Sequence, residues 1–115
     1  MKKFLVIYHS PVSARAQMAE ASPEQQQAGI DAWMSWANKV GDRLVDLGAP
    51  LGTAEQVGYN GKGGSGNANV GGYSILLAND INEAKSLLEG HPHIGEWNPE
   101  ATIELHEAME IPGMN

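Results

Sequence analysis

Two short apolar runs constrain this chain more than anything else in it. Phe4-Leu5-Val6-Ile7-Tyr8 and Tyr73-Ser74-Ile75-Leu76-Leu77-Ala78 are rich in β-branched and aromatic residues and lack regular alternation with polar ones. That pattern belongs to strands covered on both faces. A chain of 115 residues builds one core, so both strands have to share it. The rest of the sequence must supply the cover.

One cover is a long helix. Ser22-Pro23-Glu24-Gln25 puts an N-cap serine before a proline at the first helical position, with glutamine at N3 to complete a capping box. Behind it Ile30, Trp33, Met34, Ala37, Val40, Gly41, Leu44 and Leu47 recur three and four residues apart, which predicts one helix over residues 23–47. Gly48 reads as its stop, and Pro50 prevents its resumption. Asp80-Ile81-Asn82-Glu83 is a second capping box. It opens a short helix with Ile81, Ala84, Leu87 and Leu88 inward and Gly90 at its end.

Between these elements the signals are weaker. A loop runs to Ser22, with a helical turn allowed over 14–21. Thr53 to Tyr59 reads as a poor strand, and Thr102 to Met109 alternates as a last one. The order is β, long α, β, β, short α, β. With right-handed crossovers this is an α+β, ferredoxin-like βαββαβ domain over residues 1–115: a four-stranded antiparallel sheet of order 4-1-3-2 with two helices on one face. The two apolar runs then fall in the centre. Two helices cover one face only, and a second copy of the sheet is the simplest cover for the other, so a homodimer is expected.

Seven basic against fourteen acidic residues give a formal net charge of −7. The only basic pair, Lys2-Lys3, is no phosphate-binding stripe, which argues against nucleic acid and against an anionic membrane as partners. The chain has no cysteine, so it has no disulfide, thiolate nucleophile or Cys-ligated zinc. The apolar run before His9 is shorter than the roughly 7–15 residues of a secretory h-region, and no stretch approaches transmembrane length. The expected compartment is the cytoplasm.

The candidate chemistry is sparse. Gly61-Lys62-Gly63-Gly64-Ser65-Gly66 spells G-x-G-x-x-G, but a strand follows it where a dinucleotide fold needs a helix. It reads as a hairpin tip opened by Asn60-Gly61, with a flap over a pocket as a lesser reading. Alternation puts Glu104 and His106 on one face of the last strand and Ile103 and Leu105 on the other, under the helices. A carboxylate beside an imidazole orients it for acid–base work near neutral pH, which makes Glu104 and His106 the candidate catalytic pair. The plainer reading has them hydrogen-bonded across the dimer interface.

His91, His93, Tyr73, Trp36 and Asp46 are the candidate ligand contacts. His91 and His93 would also suit a metal as an H-x-H pair, but Pro92 fits an ordinary turn and no metal is assigned. No cofactor is implied. His9 reads as a strand-end residue and Trp33 as core, while Trp97, in a polar turn, could line a pocket. Asp46 would stand one turn from a helix C-terminus, against the macrodipole.

Taken together, Phe4-Leu5-Val6-Ile7-Tyr8-His9, Asp46-Leu47-Gly48-Ala49-Pro50-Leu51-Gly52, Gly72-Tyr73-Ser74-Ile75-Leu76, Glu89-Gly90-His91-Pro92-His93 and Ile103-Glu104-Leu105-His106-Glu107 resemble the YCII-related proteins over nearly the whole chain. The resemblance implies a dimeric α/β barrel, and little about activity beyond small organic molecules as substrates of a few relatives. In better-studied relatives the active site is a histidine–aspartate dyad on or near the first helix. Here no histidine lies between His9 and His91, although Asp31, Asp42 and Asp46 are present, so that mechanism does not carry over. Two functions stay open: a small-molecule enzyme or binder, and a non-catalytic binding or scaffold dimer.

Overall fold

The computed structural model describes residues 1–12, 14–96 and 98–114. Strand β1, Lys2–His9, is followed by helix α1, Ala14–Glu20, and helix α2, Pro23–Val40. Strand β2, Leu44–Pro50, precedes a small hairpin of β3, Glu55–Val57, and β4, Gly63–Ser65. Strand β5, Val70–Ala78, helix α3, Ile81–Leu87, and strand β6, Thr102–Ala108, complete the chain. The main sheet is four-stranded and antiparallel in the order β2-β5-β1-β6, so the two apolar runs occupy its centre. The fold is α+β.

Alternation along the central strands decides what the sheet presents to each side. Phe4, Val6 and Tyr8 of β1 and Ser74, Leu76 and Ala78 of β5 are buried on the face that α2 and α3 cover. Trp36 and Val40 of α2 and Ala84 of α3, with Leu88 just beyond it, close that core. The opposite face carries Leu5, Ile7, Tyr73, Ile75 and Leu77; four of them are half-buried and Leu5 is 37% exposed. Among the described residues the central strands are thus fully buried on one face and only partly on the other.

The long helix is shorter than its periodicity predicts. Gly41, at φ 58, takes a conformation open to glycine and ends α2 at Val40, its N–H donating to the Ala37 carbonyl. Leu44 and Leu47 keep the helical spacing by coincidence and belong to β2, where strand pairing satisfies their backbone. Gly48 is therefore no helix stop. It sits at φ 80 in a register slip of β2, so close to the Tyr73 carbonyl that any Cβ would overlap it. The strand expected over 53–59 is replaced by β3, which pairs only with β4 outside the main sheet.

Of the two expected capping boxes the first forms in full, and the second only as an N-cap. Ser22 and Gln25 bond each other's backbone N–H at 3.1 and 2.9 Å. Asp80 caps Glu83, but the Glu83 carboxylate turns to Asn79 and to Arg43, an ion pair that ties the turn after α2 to α3. Inward packing of α2 begins only at Trp33. Residues 23–32 are all exposed, Ile30 and Met34 are 57% and 45% exposed, and Ile81 of α3 is exposed too, against expectation. Those three fall outside the footprint of the sheet. The G-x-G-x-x-G segment is, as its lack of a following helix suggests, the turn and second strand of the small hairpin, with Asn60 and Gly61 at positive φ in the turn. Among the described residues no helix is long and apolar enough to cross a membrane.

Candidate functional site

Polar groups gather on both sides of the sheet at one end of β1. On the uncovered side, pairing of β1 with β6 sets Leu5 opposite His106, Ile7 opposite Glu104 and His9 opposite Thr102. Glu104 is consequently flanked by two imidazoles. His106 Nε2 donates to Glu104 Oε1 at 2.7 Å, and His9 Nε2 approaches the same oxygen at 3.4 Å. Hydrogen bonds from His106 first and His9 second hold the Glu104 carboxyl below its ordinary range, against the small desolvation that raises it. Glu104 is an anion at neutral pH.

This cluster borders a cleft of about 500 Å³ among the ends of β1, β5 and β6. His9, Ser10, Asn67, Asn69, Glu100, Thr102 and Glu104 line it. Carboxylates, amide groups and hydroxyls share the wall about equally with apolar surface, Pro11 included, and the volume is in the range that holds a small organic ligand. His106 supports Glu104 from outside this lining, whereas His9 reaches the cleft itself.

On the helix-covered side lies a second constellation, fully directional. His93 N–H donates to His91 Nδ1 at 2.9 Å, so the His91 proton is on Nε2. That nitrogen donates to Tyr8 Oη at 3.1 Å, Tyr8 donates to Ser74 Oγ at 2.7 Å, and Ser74 donates to the Leu47 carbonyl at 2.6 Å. Tyr8 and the indoles of Trp33 and Trp36 enclose the His91 ring, with centroids 4.3 to 5.0 Å from it. Desolvation, helped by nearby His93, pushes His91 down to about 3. Burial pushes the Tyr8 phenol up to about 12 although its bond to Ser74 works the other way. Both groups are neutral near pH 7, and the chain of donors ends on a backbone carbonyl.

The sequence-derived candidates therefore divide between two sides of one sheet. Glu104 and His106 do pair on the uncovered face. His91 is buried in the core, with both of its ring nitrogens hydrogen-bonded. His93 is half-buried and spans to the His9 carbonyl. Tyr73 stands on the uncovered face beside Ile7. Trp36 is core, its Nε1–H donating to the Leu87 carbonyl at 2.9 Å. Asp46 lies in β2, not in a helix, so the macrodipole bears no relation to it; its carboxylate accepts from the Gly48 N–H at 2.8 Å. Trp97 lies outside the described residues.

Sequence reasoning missed His9 in the cleft and the Tyr8–Ser74 link. The available signal for His9 was parity: on paired antiparallel strands it shares a face with Glu104 once the register is known. No protein-family model and no curated protein matches the chain.

Proposed function

We propose that this chain binds a small, neutral or cationic, hydrogen-bond-donating organic molecule in the cleft at the end of β1, with Glu104 and its two imidazoles as the acid–base group. The observation that carries this is the convergence of His9 and His106 on one oxygen of an ionised Glu104 at the cleft wall. A wall with Glu100 and Glu104, on a chain of net charge −7, disfavours anions and suits amines, amino alcohols and polyols. His9 stands at the cleft wall beside the ionised Glu104, so proton abstraction from a bound hydroxyl or ammonium is the chemistry proposed for the pair. Ethanolamine, with acetate as the anionic control, is a direct probe. Titration followed by NMR should shift the signals of His9, Asn67, Asn69, Thr102 and Glu104 with ethanolamine and not with acetate. Shifts confined to other residues, or none, would refute the reading.

The ferredoxin-like plan and the pairing of two chains belong to the same proposal. With the small hairpin set aside, β2-β5-β1-β6 reads as second, third, first and fourth strands, which supports that plan. Leu5, Ile7, Tyr73, Ile75 and Leu77 form a continuous apolar surface, and a second copy of this sheet would cover it. The resemblance to the YCII-related proteins points the same way, toward a dimeric α/β barrel. Sedimentation velocity should give a dimer for the wild type and a monomer for Ile75→Glu.

A scaffold reading is favoured by one observation, that Glu104 and His106 stand on this same uncovered face. Glu104→Ala and His106→Ala separate the two. Loss of ethanolamine shifts at unchanged mass supports binding, while a weakened dimer with binding intact supports the scaffold.

A further inference from the structure

The link between the two polar constellations is a single side chain. β1 pairs regularly with β5 as far as Tyr8 opposite Gly72, and then the register slips so that His9 stands opposite Val70. The extra residue is Gly71, on β5, while the pairing of β1 with β6 runs on unbroken through His9 opposite Thr102, on the face that Glu104 shares. His93 Nε2–H donates to the His9 carbonyl at 2.9 Å, from a segment that is not part of the sheet. One residue on, the Ser10 N–H donates to the Asn69 carbonyl at 2.8 Å, so the chain on the far side of the bulge is held as well.

His93 is itself anchored. Its N–H donates to His91 Nδ1, and His91 is the start of the buried series that passes through Tyr8 and Ser74 to Leu47. Tyr8, inside that series, is the residue just before His9. The His93 ring also lies against the Tyr8 ring, their centroids 5.2 Å apart. This end of β1 is thereby gripped from both sides: through the Tyr8 hydroxyl in the core, and through the His9 carbonyl by His93. Nothing in the pairing of β1 with β6 alone requires either grip.

We propose that His93 is a positioning residue: by holding the His9 carbonyl at the end of β1, opposite the Gly71 bulge of β5, it keeps the His9 imidazole on Glu104 and completes the cleft. The inference rests on reading that cleft as the ligand site, and its test is separable from that reading. Glu104 faces His9 from β1 and His106 from its own strand, with Glu100 also on the cleft wall. Its titration therefore reports on where His9 points.

The experiment follows the Glu104 carboxyl carbon by NMR across an acid titration in full-length variants. His93→Ala should raise the Glu104 midpoint, by less than His106→Ala does, because the His106 bond is the larger cause of its depression. His93→Gln, whose amide can still reach the carbonyl, should restore it. In a His9→Ala background, His93→Ala should add nothing, since the two act through one contact. If His93→Ala does not fold, His93→Asn, too short to reach, takes its place with the same expected rise. An unmoved midpoint in a folded His93→Ala or His93→Asn chain overturns the proposal, as does an equal shift with and without His9. Ethanolamine binding should weaken about five- to tenfold in His93→Ala, the loss of roughly one hydrogen bond's worth of orientation. A wild type that shows the titration pattern and binds no ethanolamine would sink the ligand reading and leave the positioning role standing.

Discussion

Tyr8 and His9 are neighbours in the chain, yet they serve opposite kinds of site. Tyr8 points under the helices into a dry group with Ser74 and His91, where every donor is used and every member is neutral. His9 points to the uncovered face, toward an ionised carboxylate and a second imidazole beside solvent. The side-chain chemistry is nearly the same in both: imidazole against oxygen. Burial separates them. In the core a charge costs too much to form, so the imidazole becomes a fixed donor and acceptor; on the open face it stands against an ionised carboxylate. The side of the sheet a histidine faces sets the partners it meets.

The contrast is sharpest in stability. His91→Ala should cost about 3–4 kcal/mol, from the cavity left among three aromatic rings and the Tyr8 hydroxyl left short of a donor. Urea unfolding at pH 7.5 measures it, and a cost under about 1 kcal/mol would mean the buried group holds little together.

Acid should act on the same residue. The folded chain holds His91 down at about 3, against 6.5 when unfolded, so the unfolded state takes up the proton first. This contribution is complete above pH 6.5 and drains away as the pH falls toward 3. The loss is about 1.4 kcal/mol per pH unit in that window, or about 3 kcal/mol by pH 4. Urea midpoints at pH 7.5, 5 and 4 test the slope, and His91→Gln should flatten it.

Tyr8→Phe is expected to cost less, about 1–2 kcal/mol, because one hydroxyl is removed and the ring stays. The same change should abolish an alkaline loss. The phenol is pushed up to about 12, so its contribution is full below pH 10 and disappears as the pH rises through 12. A wild type and a Tyr8→Phe chain that lose stability in parallel above pH 10 would remove Tyr8 as the cause.

The smallest effect on stability is expected on the open face. Glu104→Gln should leave the urea midpoint of the single chain nearly unchanged, since its partners sit in solvent, while the ethanolamine shifts vanish. A large drop in the midpoint would erase the distinction between the two groups and move Glu104 among the structural residues.

Part of this was legible residue by residue. The Ser22 and Asp80 caps, the two apolar strands and the split of Ile103 and Leu105 from Glu104 and His106 all rest on local rules, of period or of side chain to nearby N–H, and they need no distant partner. The choice between Gly41 and Gly48 as the helix stop was not local. Both are glycines after apolar residues, and only the pairing of Leu44 with Leu76 turned the chain into a strand. The fate of the histidines was still less so. Whether His91 meets Tyr8, or His9 meets Glu104, depends on strand register and on a one-residue slip, contacts between positions more than eighty residues apart. The amino-acid sequence by itself determined the two apolar central strands, the starts of both main helices and the alternation of the last strand, because those follow from periodicity and capping, but not the edge strand β2. Only the tertiary structure decided which histidine is buried and which stands beside an ionised carboxylate, because desolvation and hydrogen-bond partners exist only once distant strands have come together.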